Sequence, residues 1–425
     1  MIVPTNTLFI GIDVSLKSNQ ACAINFNSDV FFNKPFDNSP KGSEHLIRTI
    51  LELLKNHNEL NKVVICMEAT NVYHIHVSTT LATDTRLMTY GTKVYCDNAK
   101  RVTAYKETFL DREKTDEEDA FLCADYARVG KYKTVKPMLG YQKIALQRLT
   151  RQRKHVAEQL AKEKNFISSN LYLKFSALKV NPDVNPFSNI FSKSSSFMLT
   201  DYLSVEDIVN ADIEVLVAQL VEKSNNRFSD PELVAKELKK MARDSYRLDK
   251  VASESISIAL ASSFRMIEFY QNEMKLLEKE ILRIMKSFDH NYFESLTSIP
   301  GIGSVFAAGI IAEIDDINHF ASHDNLASYC GLRWKRNDSG SKNSDHTKQS
   351  NACNTYLRYY IVEGTNSVIT NLDEYKSYFY SKKKEVKINA YKRALVLTSR
   401  KFVRLIFVML RKNKLFDKHY LAQQS

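Results

Sequence analysis

Four acidic residues stand where they could hold a hard divalent cation: Asp13, Glu68, Asp116 and Asp119. Asp13 lies near the end of the apolar run Leu8-Phe-Ile-Gly-Ile-Asp-Val-Ser15, and Glu68 ends another, Val63-Val-Ile-Cys-Met-Glu68. Asp116 and Asp119 are spaced i, i+3 in Lys114-Thr-Asp-Glu-Glu-Asp-Ala120, so they share one helical face, with Glu117 and Glu118 on others. Carboxylates at two strand ends, facing such a pair, form an oxygen cage suited to Mg2+ or Mn2+. Paired ions of this kind are the usual apparatus for moving phosphodiester bonds. Singly, each acid has a bland role: Asp13 a turn cap, Glu68 a strand end, the aspartates a complement to a helix N-terminus. Their combination favours the metal cage.

A second group of residues surrounds Ser339, in Gly331-Leu-Arg-Trp-Lys-Arg-Asn-Asp-Ser-Gly340 followed by Ser341-Lys-Asn. A serine hydroxyl is a weak nucleophile unless a neighbour takes its proton or a metal polarises the target. Arg333, Lys335, Arg336 and Lys342 could stabilise charge developing on a phosphoryl group. His346 could act as a base, although a lone loop histidine is more often plain surface. By residue chemistry alone, a basic glycine-containing loop without catalytic duty is the simpler reading.

The elements that must position these groups follow from periodicity. Leu8–Ser15, Gln20–Phe26 and Val30–Phe36 are expected as three consecutive strands, and Ser43–Lys55 as a helix. Val63–Glu68 and Lys93–Asp97 are further strands, with a helix between them. Thr115–Arg128 is a helix with Thr115 as N-cap. This order suggests an α/β domain of ribonuclease-H type. The middle is helical: Leu149, Val156, Leu160, Ile167, Leu171 and Leu178 recur at spacings of 7 and 4. The stripe Ile256, Leu260, Ser263, Ile267, Tyr270, Met274, Leu277, Ile281, Ile284 and Phe288 alternates by 4 and 3, which is compatible with a coiled coil or with one helix of a bundle. Residues 181–231, with Pro182, Pro186, Pro231 and a serine run, are expected to be loop-rich. Beyond them, Leu296-Thr-Ser-Ile-Pro-Gly-Ile-Gly303 opens a hairpin whose backbone amides could hold a phosphate. The chain then ends in a basic amphipathic helix, Ala390–Lys412.

At 425 residues the chain exceeds the size of one core. Three domains are expected: 1–140, 141–290 (containing the 181–231 insert) and 291–425. Of the net charge of +11, residues 128–164 contribute +9 and residues 376–418 contribute +12, so the remainder is acidic. Such clustering is the footprint of a nucleic-acid binder. The six cysteines form no Cys-x-x-Cys pair, which argues against a zinc site or disulfide frame and for a reducing compartment. No apolar run approaches bilayer length and the start has no charged leader region. A soluble, cytoplasmic, nucleoid-associated protein without membrane partners is expected.

Gly11-Ile-Asp-Val-Ser15, Met67-Glu-Ala-Thr70 and Lys114-Thr-Asp-Glu-Glu-Asp-Ala120 resemble the amino-terminal signature of the DEDD insertion-sequence transposases. Ser298-Ile-Pro-Gly-Ile-Gly303, Leu326-Ala-Ser-Tyr-Cys-Gly-Leu332, Asp338-Ser-Gly340 and Asn354-Thr-Tyr-Leu-Arg358 resemble that family's carboxyl-terminal transposase domain. The resemblance implies a RuvC-like N-terminal domain, a coiled-coil middle used for assembly into a dimer or tetramer, and a mostly helical C-terminal domain. It implies that Asp13, Glu68, Asp116 and Asp119 form a tetrad binding Mg2+ or Mn2+, and that Ser339 attacks a phosphodiester to give a phosphoserine link to DNA. It further implies double-stranded DNA (element ends and target) and a structured guide RNA as partners. The sequence departs from the pattern at Trp334, Asp338 and Cys353. Two alternatives are a RuvC-like junction nuclease that hydrolyses DNA without Ser339, and a non-catalytic RNA- or DNA-binding protein.

Overall fold

Three apolar runs with polar turns between them fold as β1 (Thr7–Asp13), β2 (Ser18–Ile24) and β3 (Val30–Asp37), an antiparallel meander. The computed structural model describes residues 5–69, 71–97, 99–109, 113–130, 141–180, 186–187, 189–225, 228–287, 290–314, 316–333, 338–339, 342–343 and 353–417. After β3, Ser39 caps α1 (Pro40–Asn56), its hydroxyl accepting from the Gly42 amide. There follow β4 (Lys62–Glu68), α2 (His74–Thr83), α3 (Thr85–Met88), β5 (Lys93–Asp97), α4 (Ala99–Lys106) and α5 (Asp116–Arg128). The sheet runs β3-β2-β1-β4-β5, with β1, β4 and β5 parallel.

Strand alternation sorts the residues between two faces. Leu8, Ile10 and Ile12 join Val63, Ile65 and Met67 in a core covered by Leu46, Ile47, Ile50 and Leu54 of α1. Phe9, Val64 and Cys66 turn the other way, onto Ala120, Ala124 and Ala127 of α5. Gly11 lets α5 approach: a Cβ there would fall 2.1 Å from the Ala120 carbonyl oxygen and 2.1 Å from the Ala124 amide. Since these are backbone atoms, no rotamer relieves the clash. Gly11→Ala is expected to push α5 off the sheet and to lower stability by about 3 kcal/mol or more. A chemical-denaturation midpoint within error of wild type would refute this.

Residues 149–283 form one compact unit, and residues 1–148 with 284–425 another. The first of these takes in most of α6 (Tyr141–Lys174), then α7 (Ser176–Val180), α8 (Lys193–Thr200), α9 (Val205–Asn210), α10 (Ile213–Ser224), α11 (Pro231–Arg243) and most of α12 (Lys250–Met285). The loop-rich expectation for 181–231 is therefore corrected: α8, α9 and α10 occupy much of it. Its serines, aspartates and proline begin helices instead of interrupting them. Ser192, Ser204, Asp212 and Asp230 are N-caps, Ser204 with Asp207 closes a capping box, and Pro231 takes the first turn of α11.

The two long apolar stripes meet within the chain. Ile167 and Leu171 of α6 share a core with Leu260, Phe264 and Ile267 of α12. Arg153 pairs with Glu278 at 2.7 Å, while Lys174 donates to the Ser257 hydroxyl at 2.7 Å. Partners on α12 recede as α6 advances, so the helices run antiparallel. Lys174 is buried, and its ammonium also donates to the carbonyls of Leu199 and Tyr202, each at 2.6 Å. Burial pulls its pKa down to about 8, against the pull of Asp207 and Asp201. Lys174→Met should cost about 1–3 kcal/mol at pH 7 by leaving buried carbonyls without donors. Between pH 8 and the normal lysine pKa, the unfolded chain holds this proton and the folded one does not. Wild-type stability should therefore gain from Lys174 as pH rises through that window, a gain missing in the variant. Matched urea titrations at pH 7 and 9.5 would show it, and parallel pH responses would disprove it.

The carboxyl-terminal part comprises α13 (His290–Thr297), α14 (Ser304–Ile314), a 3-10 turn at Ile317–His319, α15 (His323–Tyr329), the short strands β6 (Asp338–Ser339) and β7 (Lys342–Asn343), α16 (Thr355–Asn371), α17 (Asp373–Lys384) and α18 (Ala390–Lys412). Gly309 of α14 lies against the Tyr360 ring of α16, and Tyr375 meets Phe402 edge-on at 6.4 Å. The α/β plus all-α expectation thus holds. The six cysteines are free thiols, and among the described residues no helix is long and apolar enough to cross a membrane. Phe288, Trp334, Lys335, Arg336 and His346 lie outside the described residues.

Candidate metal centre

Register brings the first two acids together. Ile12 of β1 is level with Met67 of β4, so Asp13 and Glu68 follow side by side at the carboxyl edge of the parallel strands. That edge, past the strand ends, is where α/β sheets generally place their sites. Alternation turns both acids toward the face covered by α5. The Thr115 hydroxyl accepts from the Glu118 amide at 3.2 Å and sets the start of α5. Asn33 of β3 accepts from Gln20 at 2.8 Å and donates to the Glu117 carbonyl at 3.0 Å, tying this turn to the sheet. The close approach at Gly11 brings the first turn of α5, and with it Asp119, to the side of the sheet that the two strand-end acids face. Asp116, one turn earlier, is exposed at the rim.

The group that no sequence signal pointed to is Lys106. It ends α4, where Val102 is buried and Tyr105 packs edge-on against Tyr126 of α5 at 5.3 Å and donates to Asp125. Lys106 itself is 3% exposed. Its ammonium lies 3.2 Å from an Asp119 carboxylate oxygen and 3.5 Å from one of Glu68. Burial works against this charge, yet Cys123, Asp119 and Glu68 together outweigh it and hold the lysine above its ordinary pKa. Burial pushes the Asp13 carboxyl up to about 6; Lys106 opposes the rise, and Asp119, Asp116 and Glu68 add to it. Asp97, level with Glu68 on β5, is an acid the sequence reading passed over. It accepts from the Tyr126 hydroxyl and pairs with Arg101 at 3.4 Å, which gives it a structural role.

The donor set fits a hard divalent ion, because carboxylates from β4 and α5 already converge on one positive charge, with that of Asp13 on β1 within its electrostatic reach. As they stand, no three acid, histidine or cysteine side chains among the described residues are close enough to hold a metal. The carboxylates would have to draw in around it.

Ser339 lies in the carboxyl-terminal part, on a hairpin in which it pairs with Lys342 and Asp338 pairs with Asn343. The segments that flank this hairpin are bound to each other. Arg358 donates to the carbonyls of Cys330 and Gly331 at 3.0 and 2.7 Å. Asn354 caps α16 and donates to the buried Glu313 at 2.7 Å and to the Tyr329 hydroxyl at 3.1 Å. Gly331 adopts φ +68°, with Cys353 packed where its Cβ would stand. Of the five predicted site residues, the structure brings Asp13, Glu68 and Asp119 into one cluster with Asp116 at its edge.

Fold and site together define a class: an α/β domain presenting a carboxylate cluster at the edge of its parallel strands, joined to a helical domain with a serine hairpin. Comparison with known proteins places it further. The DEDD-type IS110 model, described as a transposase, matches residues 10–176. A second model, described as the transposase IS116/IS110/IS902 family, matches residues 294–381. The chain is 21% identical over 410 residues, 96% of each protein, to the insertion element IS116 uncharacterized 44.8 kDa protein of Streptomyces clavuligerus. A solved structure, T. thermophilus RuvC in complex with a Holliday junction substrate, aligns at 16% identity over 31% of this chain and 99% of that one, with a TM-score of 0.22. The chain belongs to the IS116/IS110/IS902 family of transposases, enzymes that cut DNA.

Proposed function

We propose that this transposase recombines double-stranded DNA at the ends of an insertion sequence and at its target by way of a phosphoserine intermediate. The convergence of Glu68 and Asp119 on one cation, with the Asp13 carboxyl coupled to the same charge, carries the reading. With Asp116, they would hold Mg2+ or Mn2+. A bound ion would supply Lewis-acid polarisation of the scissile phosphate. Ser339 would attack the phosphorus: its Oγ–P bond forms, the P–O bond to the departing sugar breaks, that oxygen takes up a proton, and the serine proton passes to a base. The bond energy kept in the phosphoserine would allow rejoining without ATP.

Basic surface supports contact with nucleic acid. Lys382 lies 5.5 Å from the Tyr378 ring centre and Lys383 6.0 Å from that of Tyr391, with Tyr380 and Tyr391 exposed, offering charge and stacking faces together. A structured guide RNA, homo-oligomerisation and a cytoplasmic, nucleoid location follow from the motif resemblance. The three segments 1–140, 141–290 and 291–425 would serve as metal domain, assembly region and serine domain. Incubating purified protein, with any RNA that copurifies, with element-end DNA and Mg2+ tests the reading. Protein covalently joined to DNA after denaturation supports it, and cleavage that leaves only free ends favours a hydrolytic junction nuclease.

A further inference from the structure

Lys106 lies where a divalent ion would sit. Its ammonium is within 3.5 Å of carboxylates from both β4 and α5, it is almost wholly buried, and it influences Asp13 as well. The side chain reaches this place from the last residue of α4, whose preceding turn is fastened to α5 through Tyr105. A buried ammonium among acids keeps them from repelling one another, and it also opposes any second cation placed among them. We propose that Lys106 is an internal cation that holds the acidic site together in the metal-free protein, and that a divalent ion must displace its ammonium to bind. Displacement would combine rotation about the lysine side chain with the carboxylates drawing in around the ion. The freed ammonium would then stand at the rim of a site built to receive a phosphodiester, so metal loading and the presentation of a positive charge to DNA would be one event.

This inference rests on the reading of the acids as a metal site, and the test separates the two. Mn2+ binding is measured by titration calorimetry, without DNA, for wild type, Lys106→Met and Lys106→Arg. Lys106→Met should bind Mn2+ at least about tenfold more tightly, because the competing charge is gone, while Lys106→Arg should stay near wild type. In chelator, Lys106→Met should melt below wild type, and Mn2+ should restore it more strongly than it stabilises wild type. Should Lys106→Met fold only with metal, that too supports the proposal. A measurement on wild type stands independently of any variant: amine acetylation read by mass spectrometry should modify Lys106 slowly in chelator and faster with Mn2+. Equal Mn2+ affinity in wild type and Lys106→Met, or acetylation of Lys106 unchanged by Mn2+, overturns the proposal and leaves the metal site standing. If Mn2+ binds none of the three proteins, both readings fall.

Discussion

Asp13→Asn is expected to lower DNA strand cleavage by about 10³-fold or more while making the metal-free protein more stable above pH 6. The first effect follows from the proposed role of Asp13: its loss would take an anionic ligand from a metal cluster whose service to a phosphoryl transition state would be worth several kcal/mol, each 1.4 of which is tenfold in rate. The second follows from the fold's own electrostatics. Burial, together with Asp119, Asp116 and Glu68, raises the Asp13 carboxyl to about 6, whereas in the unfolded chain it titrates near 3.8. Between these values the folded protein holds a proton that the unfolded chain has lost. The stabilising contribution is complete below the unfolded pKa and is lost as pH rises through 6. Above that pH the wild-type fold carries a charge it disfavours, and asparagine carries none. Melting curves in chelator should converge for wild type and variant toward pH 4 and separate at pH 8, with the variant higher. A variant less stable at pH 8, or one that cleaves at the wild-type rate, would remove Asp13 from the site.

Ser339→Ala should abolish the covalent protein–DNA adduct and reduce strand exchange by about 10³-fold or more, since nothing else in the proposed scheme supplies the attacking oxygen. Mn2+ affinity and the melting temperature should remain at wild-type values, because Ser339 lies on a two-strand hairpin of the carboxyl-terminal part and the acids lie on β1, β4 and α5. That separation of readouts distinguishes a lost nucleophile from a damaged fold. Recombination that persists in Ser339→Ala would leave the acids as a hydrolytic centre acting without the serine. Mixing Ser339→Ala with an Asp13→Asn protein extends the test. Recovered activity in mixed oligomers would mean that one site draws its acids and its serine from different subunits, and no recovery would mean that it does not.

Much of the α/β domain was legible because its strands are short apolar runs with polar breaks, and burial on both faces leaves little choice of conformation. The predicted Lys93–Asp97 strand and Ala390–Lys412 helix match the observed elements end to end. Less legible were α2, α3 and α4: α4 has few apolar positions, too few to mark a period. Residues 181–231 misled for a related reason. Serine, aspartate and proline favour turns and helix starts alike, and only the hydrophobic faces that pack behind them decide between the two. The stripe on α12 shows the same limit, since its 4-3 spacing guarantees a helix with an apolar seam but does not say what covers it. Part of that seam, Leu260 and Ile267, is covered from within the chain.

The sequence by itself determined the four acids and how they are presented. A carboxylate on the last residue of each of two apolar strands, and two more a helical turn apart behind an N-cap threonine, are local arrangements set by backbone geometry. Only the tertiary structure decided that Lys106 would lie among them. Lys106 is 38 residues from Glu68 and 13 from Asp119, in a helix with no pattern to announce it. Its role comes from where the packing of α4 on α5 places one ammonium. Charge in a sequence is a property of a residue, but the charge balance of a site depends on distance and burial, which exist only once the chain has folded.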